Sequence, residues 1–184
     1  MRLRTKRGLL IVTAVSCFAF TTADAAGVKP YVNAKSGVNI SYPADWVKSE
    51  NVPGALVAFG APKEKANLKM VENVTLTVQE LPQEFATMDK YTKMYEKQRE
   101  QTPDPPKVIE SKKMKLGGQP AQSIVCVGKQ NGMDIQFWQV WTVKDAKAYL
   151  FTYGAEKSSY TKFLKEAERI IASLSFTKPA PKKK

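Results

Sequence analysis

The chain has no histidine and only two cysteines among its 184 residues. The first absence removes every imidazole-based catalytic triad, every His-ligated metal site and every imidazole pH switch. The second leaves little for a disulfide scaffold. Acidic residues are also scarce: 17 stand against 29 lysines and arginines, for a formal net charge of +12 at pH 7. No apolar run reaches the roughly 18 residues that a membrane-spanning helix needs. What is there, 43% apolar and 25% charged residues, suffices for one buried core and does not fit a chain disordered throughout.

The first 25 residues read as an address. Arg2, Arg4, Lys6 and Arg7 make a positive start, Gly8 to Phe20 an apolar stretch, and Ala23-Asp24-Ala25 a small-x-small cleavage site. Together these are the parts of a secretory signal peptide. Cleavage after Ala25 sends the rest to the periplasm or the extracellular space. The apolar stretch is short for an uncleaved anchor. Ala14-Val15-Ser16-Cys17 loosely resembles a lipobox, so a lipoprotein at Cys17 is the alternative. The usual leucine is missing, and Phe18-Ala19-Phe20 extend the apolar run where a polar tether should begin. Cys17 is therefore read as part of the leader. Loss of residues 1–25 leaves 25 basic against 16 acidic residues, a net charge of +9. Cys126 is then the only cysteine, no intrachain disulfide can form, and the fold rests on its core.

The remainder reads as a single α+β domain over 26–177, with a basic Pro/Lys tail at 178–184. Val38 to Tyr42 alternates apolar and polar residues, as a half-buried strand does, and stops at Pro43. Extended segments follow at Trp46 to Lys48 and Ala55 to Phe59, and the charged stretch from Lys63 to Lys69 reads as a solvated loop. Asn73 to Glu80 is a β-branched run of period two. Met88, Tyr91, Met94, Tyr95 and Gln98 share one face of a helix that begins near Thr87 and ends before Pro103, Pro105 and Pro106. Val108 to Leu116, Ala121 to Lys129, Met133 to Val143 and Ala148 to Tyr153 follow as strands. Gly117-Gly118, Asn131-Gly132 and Lys144 to Lys147 turn the chain between them, so the sheet is a mainly antiparallel meander. A second helix carries Tyr160, Phe163, Leu164, Ala167, Ile170 and Ile171 on one face, with Ser158 or Ser159 as its cap, and Ala172 to Phe176 closes the fold.

Signals for chemistry are sparse. No His/Cys/carboxylate set has metal-ligand spacing, and neither phosphate-binding glycine fingerprint occurs, so no metal, cofactor or catalytic residue is assigned. Glu96 and Glu100 lie one helical turn apart among Lys93, Lys97 and Arg99, which marks a solvated face. Ser159-Tyr160-Thr161-Lys162 has a Ser-to-Lys spacing, but inside an amphipathic helix. Cys126 sits within Ile124-Val125-Cys126-Val127 and reads as buried filler.

Two features point outward. Lys112, Lys113 and Lys115 punctuate one strand, and with Lys63, Lys65, Lys69 and the tail they could meet an anionic lipid or envelope polymer. Lysines without interleaved aromatics, on an exported chain, do not suggest nucleic acid. On the strand after Gly132, Ile135, Phe137, Gln139, Trp141 and Val143 occupy the face expected to be core. Trp138 falls on the other face, either beneath a covering segment or in an exposed contact patch.

The order of these signals resembles the PsbP-like family (PsbP/DcrB-type exported domains). Ile40 to Trp46 is similar to its Y-P-x-x-W opening, and Leu116 to Ala121 to its L-G-G-x-P-A turn. Gln139 to Thr142, Tyr149 to Tyr153, the helix after Tyr160 and Ile171 to Phe176 resemble its closing strand–helix–strand. The resemblance runs over about residues 35 to 177. It implies an α/β/α sandwich, a central mainly antiparallel sheet flanked by helices. It also implies a non-catalytic accessory or binding role in the cell envelope, through contact with another protein or complex. If the source is photosynthetic, it implies an extrinsic subunit of photosystem II, although no metal-contacting or photosystem-contacting position of the family can be matched onto this chain.

Overall fold

The computed structural model describes residues 27–62 and 72–177. The expected leader, the stretch from Lys63 to Lys69 expected as a solvated loop and the basic tail lie outside the described residues. The architecture is α+β. Seven strands form one sheet in the order β3-β4-β5-β9-β8-β7-β6, every neighbouring pair antiparallel. These are β3 (Val47–Ser49), β4 (Val57–Gly60), β5 (Asn73–Glu80), β6 (Lys107–Leu116), β7 (Gln119–Gln130), β8 (Met133–Lys144) and β9 (Lys147–Glu156). A second sheet of three strands, β1-β2-β10, pairs β1 (Val28–Asn33) and β10 (Ser175–Phe176) with the two edges of β2 (Val38–Pro43). The helices are α1 (Met88–Glu100) and α2 (Leu164–Ala172).

Turn chemistry fixes the long meander. Each of its last three hairpins closes on two residues with positive φ: Gly117 and Gly118 (56° and 78°), Asn131 and Gly132 (52° and 77°), Asp145 and Ala146 (50° and 55°). Two successive left-handed residues match the right-handed twist of the flanking strands. The turns set the registers Leu116↔Gln119, Gln130↔Met133 and Lys144↔Lys147. With registers fixed, alternation decides which side chains share a face.

The two faces bury different cores. Tyr91 of α1 packs with Ile124, Cys126, Trp141 and Ala148, and Met88, Met94 and Tyr95 lie partly buried against them. Gln98, at the end of the expected stripe, stays exposed. The opposite face meets α2 and the small sheet in a larger core, which includes Tyr31, Ile40, Tyr42, Phe59, Leu76, Val140, Phe151, Tyr153, Ala167, Ile170 and Ile171.

The structure corrects the sequence reading at four places. β1 was not anticipated; Pro30 sits in it because β1 is an edge strand, where a missing N–H is tolerated. α2 starts at Leu164, after Phe163, so neither Ser158 nor Ser159 caps it. Ser159 instead bonds the Glu156 carbonyl in the turn that leaves β9. Ala172 is the last residue of α2, leaving only Ser175 and Phe176 as strand. β8 buries both of its faces: the face expected to be core carries Trp141, fully buried, with Phe137 and Val143 packed beside it against α1, and the face left open carries Trp138, Val140 and Thr142 into or beside the larger core.

Candidate functional site

Trp138 is 9% exposed, and its indole Nε1 donates to Ser123 Oγ at 2.7 Å. A large ring with its one polar atom satisfied inside the core is a packing element. The contact-surface reading of Trp138 therefore fails, because α2 and the small sheet cover the face that had been left open. Thr142, also buried, donates its hydroxyl to the Pro120 carbonyl at 2.7 Å. Trp141 on the other face reaches Thr92 of α1 at 2.9 Å.

Among the described residues, no three Cys, Asp or Glu side chains gather as a metal-binding group. Cys126 is fully buried, and burial pushes its thiol up while the Arg99 charge pulls weakly the other way. A thiol so held is a poor nucleophile. Ser159 and Lys162 share a turn through the Lys162 N–H, which donates to the Ser159 carbonyl at 2.9 Å, but the serine hydroxyl is bonded to Glu156 rather than to the amine. The largest pKa displacements belong to tyrosines of the core. Burial pushes Tyr91 and Tyr160 up to about 12 and Tyr153 further in the same direction. The negative charge of Glu72, a carboxylate only 3% exposed at the start of β5, adds to the effect on Tyr153.

The three lysines singled out in the sequence lie on β6, one of the two edge strands of the large sheet among the described residues. Strand alternation puts Lys112 on the larger-core face and Lys113 and Lys115 on the α1 face, so they flank the edge from both sides. Lys112 pairs with Glu110 at 2.8 Å. Lys113 enters a groove of about 650 Å³ between α1 and the β6–β7 hairpin, where Thr87, Asp89, Thr92 and Met114 also line the wall. A register shift between Val108 and Glu110 interrupts the ladder, and Ile109 beside it is 52% exposed. Lysines and a bulge on an edge are also how proteins block unwanted strand pairing.

Two further cavities could not be read from local sequence, because distant segments build them. One, of about 300 Å³, lies between the end of α1 and β8, walled by Tyr95, Phe137 and Pro106. Arg99 lines it and donates to the Pro106 carbonyl at 3.3 Å, while its Nε is buried without a partner among the described residues. The other, of about 390 Å³, is framed by the β1–β2 turn, the β8–β9 turn and the end of β10, with Lys35, Lys144 and Lys147 among its lining.

Comparison with known proteins follows the geometry. No curated protein sequence matches the chain. Solved structures share the fold at low identity. Cyanobacterial PsbP (CyanoP) from Synechocystis sp. PCC 6803 superposes with a TM-score of 0.58 at 16% identity, over 85% of this chain and 95% of that one. LpqN of Mycobacterium tuberculosis, a protein involved in cell envelope biogenesis, does so with 0.58 at 12%, over 83% and 91%. PA94 of Pseudomonas aeruginosa, of unknown function, gives 0.56 at 12%, over 84% and 98%. At such identities these likenesses speak for the architecture. The PsbP family itself matches residues 26–176, nearly all of the chain beyond the expected leader, and the chain therefore belongs to the PsbP family.

Proposed function

We propose that the protein is an exported, non-catalytic accessory domain that acts in the cell envelope by contact with another envelope protein or complex. The observation that carries this reading is the PsbP match across residues 26–176. LpqN, which has the same fold, is described as taking part in envelope biogenesis. The arrangement of buried groups supports it too: the thiol and the most perturbed phenols are locked in cores rather than aimed into a cavity. The contact is assigned to the β6 edge. A partner segment lying along it meets Lys112 from one side and Lys113 and Lys115 from the other, which favours an acidic partner.

The test is a pull-down from crosslinked envelope fractions, with the natural chain and with Lys112→Glu, Lys113→Glu and Lys115→Glu combined. One defined protein should be recovered by the natural chain and lost with the charge-reversed one. Recovery of no protein under several crosslinking conditions, or equal recovery by both chains, would refute the assignment.

A further inference from the structure

The two-residue turn at Gly117-Gly118 decides more than the register of β6 against β7. In a hairpin closed by two left-handed residues, the flanking pair Leu116↔Gln119 exchanges both of its backbone hydrogen bonds. Pairs alternate from there along the ladder, so Met114, Lys112 and Glu110 bond inward to Ala121, Ser123 and Val125. Lys115, Lys113 and Ser111, opposite Pro120, Gln122 and Ile124, turn their N–H and C=O groups away from β7. Pro120 has no N–H and falls on one of these pairs, where none is needed between the two strands. On its outer side β6 has no neighbouring strand among the described residues, and Ser111, Lys113 and Lys115 are all exposed. The open stretch ends at Leu116 in one direction and at the register shift between Val108 and Glu110 in the other. The opposite edge strand, β3, has only three residues.

We propose that this edge takes up an extended acidic segment of the partner protein as an eighth strand of the large sheet. The proposal rests on the contact assigned to β6 and specifies its form. The outward backbone groups of Ser111, Lys113 and Lys115 supply the hydrogen bonds, and the side chains supply the sign of the charge. Lys113 and Lys115 make no ion pair among the described residues. The one acid of β6, Glu110, is taken up by Lys112. Asp89, Lys93 and Glu96 of α1 line the groove beside Lys113, so α1 adds little net charge there and the lysines of the strand decide. A strand added to β6 sets alternate side chains directly beside Lys113 and Lys115, and carboxylates gain at those places. A second copy of β6 does not, because pairing centred on position 113 sets Lys113 against Lys113. Lysines that keep copies of this chain apart thereby select an acidic strand.

The probe is the acetylated, amidated heptapeptide Thr-Glu-Val-Glu-Val-Glu-Thr, titrated into the chain from Ala26 to Lys184, which contains every residue of both cores. Backbone amide resonances follow the binding. In the free protein the amides of Glu110, Lys112 and Met114 should exchange slowly with solvent deuterium and those of Ser111, Lys113 and Lys115 quickly; with peptide bound, both sets should be slow. Glutamates placed beside the lysines direct their own N–H groups at β6, so methylating those nitrogens should weaken binding about ten-fold, while methylating the valine nitrogens, which face away, should not. Ser111→Pro removes one outward N–H, keeps every lysine and every bond to β7, and should also cost about ten-fold. Lys113→Gln with Lys115→Gln should cost about ten-fold, roughly three-fold for each pair. Should Ser111→Pro fail to fold, as judged by its melting curve, the methylated peptides carry the same test. Equal affinity for all three peptides would overturn the strand addition. So would slow exchange of Ser111, Lys113 and Lys115 in the free protein, or no shift of the β6 amides at millimolar peptide. None of these results touches the β6 contact itself, which the pull-down with charge-reversed lysines reads separately.

Discussion

Two adjacent glycines show how finely one side chain can be specified. Both Gly117 and Gly118 have positive φ, but a Cβ on Gly117 would sit 2.6 Å from a ring carbon of Phe176, while one on Gly118 would meet nothing within 4 Å. Gly118→Ala should therefore cost about 1 kcal/mol, the backbone penalty alone. Gly117→Ala should cost about 1–3 kcal/mol more, as Phe176 is forced aside. Chemical denaturation of both variants reads the difference. Ionisation offers a second residue-scale prediction. Tyr91 and Tyr160 are pushed up to about 12 by burial, against an ordinary value of 10.0. A folded pKa above the unfolded one means that the contribution of the neutral phenol is complete below pH 10 and is lost as pH climbs to about 12. Stability should fall across that window, and tyrosinate absorbance should rise together with unfolding rather than ahead of it. With no histidine in the chain, no such loss is expected between about pH 6 and 8.

Elements were legible where local pattern and tertiary demand agree. The period-two run Asn73 to Glu80 is β5 residue for residue, and Asn131-Gly132 closes the hairpin its chemistry calls for. The failures have physical causes. β1 buries only Tyr31, so its hydrophobic signal is one residue deep and a proline interrupts it. The apolar face of the second helix begins at Tyr160, but the segment before Leu164 buries that tyrosine from a turn, with its carbonyl accepting the Tyr153 hydroxyl at 2.8 Å. Periodicity registers a buried side chain without recording the backbone that delivers it. A nine-residue helix is marginal alone, so α2 depends on the larger core. Ile170→Ala, at a fully buried position, should cost about 2–5 kcal/mol in thermal or denaturant unfolding. Lys165→Ala, exposed on the same helix, should change stability by less than about 0.5 kcal/mol.

At the scale of the whole molecule, the layered sandwich could be read from the sequence, while the grouping of surface charge could not. Lys112, Lys113 and Lys115 are neighbours in sequence and divide between two faces; Lys35 is about a hundred residues from Lys144 and Lys147, yet the three line one cavity. Trp138 was ambiguous for the same reason: alternation places it on a face, but only the packing of α2 and the small sheet covers that face. The central claim is that the domain works by holding a protein partner at the β6 edge. A photo-crosslinking residue placed at position 113 in the full chain, and in a control at position 165 on α2, tests it directly in intact cells. The account predicts one defined adduct from position 113 and none of that mass from position 165. The same adducts from both positions, or none from either, would contradict it.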